Sequence, residues 1–344
     1  MFKRRKRILL GSIIISVIMI VFFIVQGFES SKAINIYTAI EEQYISEYIG
    51  AFNKKYPDIK VNIIRDSGGV VASKLLVEKD NPRADIIWGV PVSNALVLDK
   101  YGVLEPYESK NLQKIDKAFY DTKNTIPKWV GLNTSMTAFT VNTVELEKRG
   151  LPIPESYEDL LNPAYKKSII MPNPGSSGTG FLTVSGFLQL FGKDGWTYMD
   201  KLHPNIAEYS HSGSAATKQV AKGEALIGIG MDYLSLQLEP DNPQIKTIFP
   251  KEGSGWEVEI LGLIKKEKIK DEAKIFYDWA ISDEAMNLYA KNIGMVTTKG
   301  FKPLRNDRYP KGVKGQMIEN DFSWASENRN DILKKWDEKY GVGE

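Results

Sequence analysis

The chain has 344 residues, with 45 Lys and Arg, 43 Asp and Glu, two His and no Cys. Without Cys there is no disulfide framework, thiolate metal site or cysteine nucleophile, and 42% apolar with 26% charged residues excludes a disordered or fibrous chain. Six of the bases and one of the acids lie in the first 33 residues, leaving 39 bases, 42 acids and a net charge of −3, which speaks against nucleic acid as a partner.

Lys3 to Arg7 are five consecutive bases, followed by an uncharged apolar run over 8–25. This is the pattern of an export segment, and 1–33 reads as a signal peptide or an N-terminal membrane anchor. The run of 18 residues exceeds the ~7–15 of a cleaved signal and approaches the ~20 that span a bilayer. Gly27 and Ala33 offer small residues for cleavage, so cleavage and retention both stay open. The basic cluster keeps its own end cytoplasmic and places the body on the outer face.

From Ile34 onward strand and helix patterns alternate, which predicts an α/β fold with sheets flanked by helices. Residues 34–37 are β-rich and lead into Thr38; over 41–56, Ile45, Ile49 and Phe52 recur at helical spacing. A strand over 59–64 ends at Arg65-Asp66-Ser67-Gly68-Gly69, before a helix over 70–78. A buried strand is predicted at 85–88, a helix over 93–101, and a strand at 138–141 after an irregular Lys-rich passage. The rhythm resumes with a strand at 167–171, a loop over 172–179, an apolar helix to Phe191, a strand at 206–209 and a helix to Lys222. Strands follow at 226–231 and 257–264. The tail from Asp271 is helical, with Ile275, Trp279, Met286 and Tyr289 on one face, and 324–340 repeats the habit with more charge. These closing helices are expected on the first lobe.

Three loops share one design, in which a strand ends, a Ser/Gly segment follows and a helix begins. They contain Ser67, Gly68 and Gly69; Ser176, Ser177, Gly178 and Thr179; and Ser212, Gly213 and Ser214. A helix start offers unpaired N–H groups and the positive end of the dipole, Gly allows close approach, and Ser or Thr adds a hydroxyl. Each loop alone also fits ordinary capping and turn chemistry. In a doubly wound sheet such loops converge on one crevice, so together they point to an anion site.

Catalytic signatures are missing: there is no G-x-S-x-G, no G-x-x-x-x-G-K-[ST] and no H-E-x-x-H. His203 precedes Pro204 and reads as a turn residue, whereas His211 stands beside the third loop. Glu41 and Glu42 fit a helix start, where the dipole favours acids. Glu257 and Glu259 point the same way on a strand and suit cation or hydroxyl binding better than proton transfer.

Several stretches resemble the extracellular solute-binding proteins of ABC importers, in the branch that includes binders of ferric iron, 2-aminoethylphosphonate, phosphorylated sugars and thiamine. The resemblance runs through Tyr37-Thr38-Ala39-Ile40-Glu41-Glu42, Arg65-Asp66-Ser67-Gly68-Gly69-Val70, Ala84-Asp85-Ile86-Ile87-Trp88-Gly89, Met171-Pro172-Asn173-Pro174-Gly175-Ser176-Ser177-Gly178-Thr179-Gly180, Ser212-Gly213-Ser214-Ala215, Gly228-Ile229-Gly230-Met231-Asp232-Tyr233, Glu252-Gly253-Ser254-Gly255-Trp256 and Trp324-Ala325-Ser326-Glu327-Asn328-Arg329. It implies a two-lobed fold of the type II periplasmic-binding-protein kind: one lobe of 34–136 with 262–344, the other of 137–261, and a ligand cleft between them. It implies partnership with an ABC permease and its ATPase, capture without conversion, and a monomer without cofactor or resident metal.

Iron binders of this branch typically use adjacent tyrosines where this chain reads Met231-Asp232-Tyr233, a departure that leaves only part of the hard anionic oxygen set that Fe(III) wants. The resemblance favours a small anionic solute, an organophosphonate or phosphate ester, with ferric iron or thiamine as alternatives and an exported phosphate-ester hydrolase as a rival of another class. The oxyanion is expected against the three loops with Thr38 adding a hydroxyl, Asp232 with Glu257 or Glu259 meeting an ammonium or hydroxyls, and Tyr233 nearby. Trp256 is a candidate apolar wall, and Trp88 reads as core.

Overall fold

The computed structural model describes residues 32–293, 295–302 and 306–341. The export segment expected over 1–33 therefore lies almost wholly outside the described residues. Among those described, no helix is long and apolar enough to cross a membrane.

The chain forms two sheets joined by shared strands. In the first half, β1 (Ala33–Thr38) lies parallel between β2 (Lys60–Arg65) and β3 (Ile86–Pro91). β4 is the short Leu104–Glu105. In the second half, β6 (Ile169–Pro172) runs parallel to β7 (Ile206–Ser210) and to β8 (Ile227–Met231). β5 (Val130–Asn142) and β10 (Trp256–Ile264) pair antiparallel and tie the halves together. β5 gives residues up to Met136 to β10, then Thr137–Val141 to β8, and its end to β9 (Ile245–Ile248); β10 continues onto β3 and β4.

All 13 residues of β5 are buried, yet only its end, 138–141, is legible as a strand. Asn133, Thr134, Ser135 and Thr137 are polar residues covered on both faces, so neither alternation nor an apolar run marks them. By contrast β3 is buried and mostly apolar, as expected of a parallel strand covered on both sides.

Helices of the first half are α1 (Glu42–Lys55), α2 (Gly68–Val77) and α3 (Val92–Lys100). Those of the second are α4 (Thr143–Lys148), α5 (Gly178–Phe191), α6 (Gly195–Leu202), α7 (Gly213–Ala221) and α8 (Asp232–Leu238). The tail holds α9 (Asp271–Ala280), α10 (Asp283–Ile293), α11 (Gly312–Gln316), α12 (Phe322–Glu327) and α13 (Arg329–Tyr340). α1 buries Tyr44, Tyr48 and Phe52, one residue per turn, leaving Ile45 and Ile49 at the margin of the same face. α5 is apolar on nearly every side and sits inside its half.

Each half has its own core. Tyr48, Phe52, Trp88, Phe276 and Trp279 interlock in the first, with ring centroids 4.9–5.9 Å apart in edge-on pairs such as Phe52–Phe276 and Tyr48–Trp88. Phe139, Tyr157, Phe187 and Tyr198 do the same in the second.

The tail divides its packing between the two halves. α9 and α10 do pack on the first core. Tyr309 and Val313 instead join Phe249 and Met136, and α13 lays Ile332, Trp336 and Tyr340 on the second core. α12 returns to α3 in the first half. The predicted single helix over 324–340 is broken at Asn328, where the chain changes partner. Trp336 and Tyr340 find their aromatic neighbours, Tyr209 and His203, in the second half, which draws the last helix there.

Candidate functional site

β2, β6 and β7 each end in a turn that opens a helix. After β2, Asp66 Oδ1 accepts from Ser67 N at 2.7 Å, and Ser67 stands extended before α2 with its hydroxyl unused as a cap. After β6, Asn173 Oδ1 accepts from Gly175 N at 2.7 Å, and Ser177 Oγ accepts from Gly180 N at 3.2 Å to cap α5. After β7, Ser212 precedes α7, with its hydroxyl 3.0 Å from that of Ser214. The first turn of each helix leaves backbone N–H groups without helical partners.

These turns meet. Ser67, Gly68, Ser177, Gly178, Thr179, Ser212 and Gly213 line one cavity of about 30 Å³, together with Glu41, Arg65, Pro91, Met231 and Glu259. That is room for about one water. Two glycines set the approach. A Cβ on Gly69 would lie 2.7 Å from the Gly175 carbonyl oxygen, and one on Gly178 would lie 2.6 Å from Pro91 Cγ, each across the seam between halves. A larger hollow of about 1020 Å³ lies between α5 and the closing helices; it is an open groove lined by acids and bases alike, among them Lys193, Glu319, Asp331 and Lys335.

Charge concentrates on the same seam. Glu41 Oε1 lies 3.2 Å from Arg65 Nη2, and its Oε2 lies 3.0 Å from Lys218 Nζ across the cleft. Lys218 also donates to Ser214 Oγ at 3.3 Å, and Arg65 Nε donates to the Ile40 carbonyl at 3.2 Å. At the mouth His211 Nε2 lies 3.5 Å from Asp66 Oδ1, and Ser176 Oγ donates to the His211 carbonyl at 2.8 Å. The Thr179 hydroxyl is buried without a partner.

Other expected residues lie elsewhere. The Thr38 hydroxyl donates to the Trp88 carbonyl at 2.6 Å and accepts from Ile40 N, so it fastens β1 to β3. Asp232 is buried, accepting from Met136 N at 3.0 Å and from the Tyr309 hydroxyl at 2.6 Å, and burial pushes its carboxyl up to about 6. Both oxygens are thus engaged by the protein. Tyr233 is packed in the first core, and burial pushes its phenol well above the usual range. Trp256 donates from Nε1 to the Ile318 carbonyl at 2.9 Å and packs edge-on against Phe322, away from the cavity. Trp88 is core, as its apolar surroundings suggest.

Glu257 and Glu259 are both buried on β10. Burial pushes each up to about 7. Asn133 Nδ2 donates to Glu259 Oε2 at 3.1 Å, and Glu257 faces Ser93 and the start of β10. Only Glu259 of the two reaches the cavity lining.

Arg65 and Lys218 were not legible as site residues, and Glu41 is legible only as a helix-start acid. A signal for both cations is present: Arg65 is the last residue of β2, where the first loop departs, and Lys218 follows Ser214 by four positions on one helical face.

Residues 81–324 match the model of the bacterial extracellular solute-binding protein family. The chain belongs to that family. This solute-binding protein is 32% identical over 296 residues to an uncharacterized protein of Haemophilus influenzae, covering 83% of this chain and 84% of that one. It is 25% identical over 238 residues to a putative 2-aminoethylphosphonate-binding periplasmic protein of Salmonella typhimurium, covering 67% of each. Among solved structures, the periplasmic binding protein AfuA from Actinobacillus pleuropneumoniae, with fructose-6-phosphate bound, superposes with a TM-score of 0.84 at 28% identity over 91% of this chain and 100% of that one. The fold is therefore the two-lobed binding-protein architecture. As a member of this family the protein is an exported solute-binding protein, and a relative from Sinorhizobium fredii, 22% identical over 247 residues, is named a probable ABC transporter periplasmic-binding protein.

Proposed function

We propose that this solute-binding protein captures a small phosphate ester or organophosphonate in the cleft and releases it unchanged to its permease. The observation that carries the reading is the convergence of three helix starts, Arg65 and Thr179, whose hydroxyl has no partner, on one cavity, with Lys218 held against the Glu41 carboxylate that also lines it. Its likeness to a putative 2-aminoethylphosphonate-binding protein and to a protein holding fructose-6-phosphate points the same way. Closure about β5 and β10 replaces water around the guest with directed hydrogen bonds, and a micromolar dissociation constant requires a net of about −8 kcal/mol. The segment over 8–25, retained or cleaved, delivers a monomeric body to the outer face.

Capture rather than hydrolysis is supported by the surroundings of His211, whose ring meets Asp66 and no serine hydroxyl. The test is a thermal-shift screen with 2-aminoethylphosphonate, hexose phosphates, thiamine, thiamine diphosphate, inorganic phosphate and Fe(III), followed by recovery of the ligand. A raised Tm with a phosphorus oxyanion, and the intact compound recovered stoichiometrically, supports the proposal. A rise with Fe(III) alone, giving a coloured complex, overturns it in favour of iron. Accumulating product overturns it in favour of an enzyme.

A further inference from the structure

We propose that Arg65 and Lys218 are cationic ligands for the guest's oxyanion, and that the Glu41 carboxylate stands in for that oxyanion until the guest arrives. The inference rests on the reading of the cleft as an oxyanion site. Arg65 closes β2 in the first half and Lys218 lies on α7 in the second, so one carboxylate is shared by one cation from each side of the cleft. The Glu41 side chain is 10% exposed, against 29% for Arg65 and 42% for Lys218. Glu41 precedes α1 without making a side-chain cap bond, so the helix start does not require its carboxylate.

The arrangement is that of a bound anion: two oxygens held by two cations, beside the Thr179 hydroxyl that has no partner and three helix starts. A phosphate or phosphonate brought onto those cations meets a like charge on Glu41, and two anions a few ångströms apart oppose one another. The guest has three oxygens and up to two charges, and it reaches the amides as well as the cations. Exchange therefore runs from Glu41 to the guest, with the carboxylate swinging toward the cleft mouth. The same competition sets specificity: a simple monocarboxylate offers the two cations nothing that Glu41 does not already supply.

The full chain in detergent, titrated calorimetrically with inorganic phosphate, glucose 6-phosphate and 2-aminoethylphosphonate, tests this. For whichever probe the wild type binds, Glu41→Gln is expected to tighten binding at least fivefold, and Lys218→Met or Arg65→Lys to weaken it about tenfold. In a Lys218→Met background the gain from Glu41→Gln should shrink at least twofold, because one of the two cations competed for is gone while Arg65 remains. If Glu41→Gln weakens binding of every probe, or gives the same gain without Lys218, the stand-in role is wrong while the oxyanion reading survives. If the wild type binds none of the three, the oxyanion reading fails and takes this inference with it.

Discussion

Thr179 carries a buried hydroxyl that satisfies nothing in the protein, a cost that folding bears and a guest can relieve. Thr179→Val is expected to leave the unliganded protein as stable or up to ~1 kcal/mol more stable, while weakening oxyanion binding about fivefold; paired melting and calorimetry check both halves of that statement. The buried carboxyls give a second handle. Asp232 is pushed up from 3.8 to about 6, and Glu257 and Glu259 from 4.5 to about 7, chiefly by burial. The folded state therefore holds these protons more tightly than the unfolded chain. Their favourable contribution is complete below the unfolded values and is lost as pH rises through 6 to 7. Tm should fall by several degrees between pH 5 and pH 8, and Glu257→Gln with Glu259→Gln should flatten that slope; a Tm that climbs over the same interval would refute the assignment. Spacing put Glu257 and Glu259 on one face, but only the fold decides that Glu259 alone reaches the cavity.

The strand-turn-helix units line one cavity, and their joint placement follows from connectivity: parallel strands present their carboxyl ends to one crevice. The placement of Ser67, Ser177 and Ser212 before helix starts was legible because residue type, helix onset and strand end coincide in sequence. A carboxylate after β8 looks identical in sequence whether it faces a guest or, like Asp232, accepts from Met136 N and the Tyr309 hydroxyl. β5 was largely hidden since its buried polar residues mimic a loop. At this scale Gly69→Ala and Gly178→Ala are informative, because the added methyl would meet the opposite half at 2.7 and 2.6 Å. Each is expected to keep the halves from seating and to lower affinity about tenfold with little loss of Tm. Small-angle scattering should show the liganded wild type more compact than the liganded variants, and equal compaction would show that the seam tolerates a side chain.

Over the whole molecule, β5 and β10 supply one set of crossings and the tail supplies another, through α11 on the second half, α12 on the first and α13 on the second again. Alternation of strands and helices made the α/β class readable and the family resemblance implied its two lobes, but nothing in the periodicity of 324–340 tells which core an amphipathic helix will choose. Trp336 is 3% exposed against the second core, and Trp336→Ala should cost about 3–5 kcal/mol. Calorimetry is expected to resolve an early transition of the second half alone; uniform loss across a single transition would mean that the tail welds both halves into one cooperative unit. The path of the tail also has a practical side. Ala33 rides on the first half and Tyr340 on the second, so a donor dye near one and an acceptor near the other form a ruler across the gap. Energy transfer between them would register each capture event directly, without any label on the cargo.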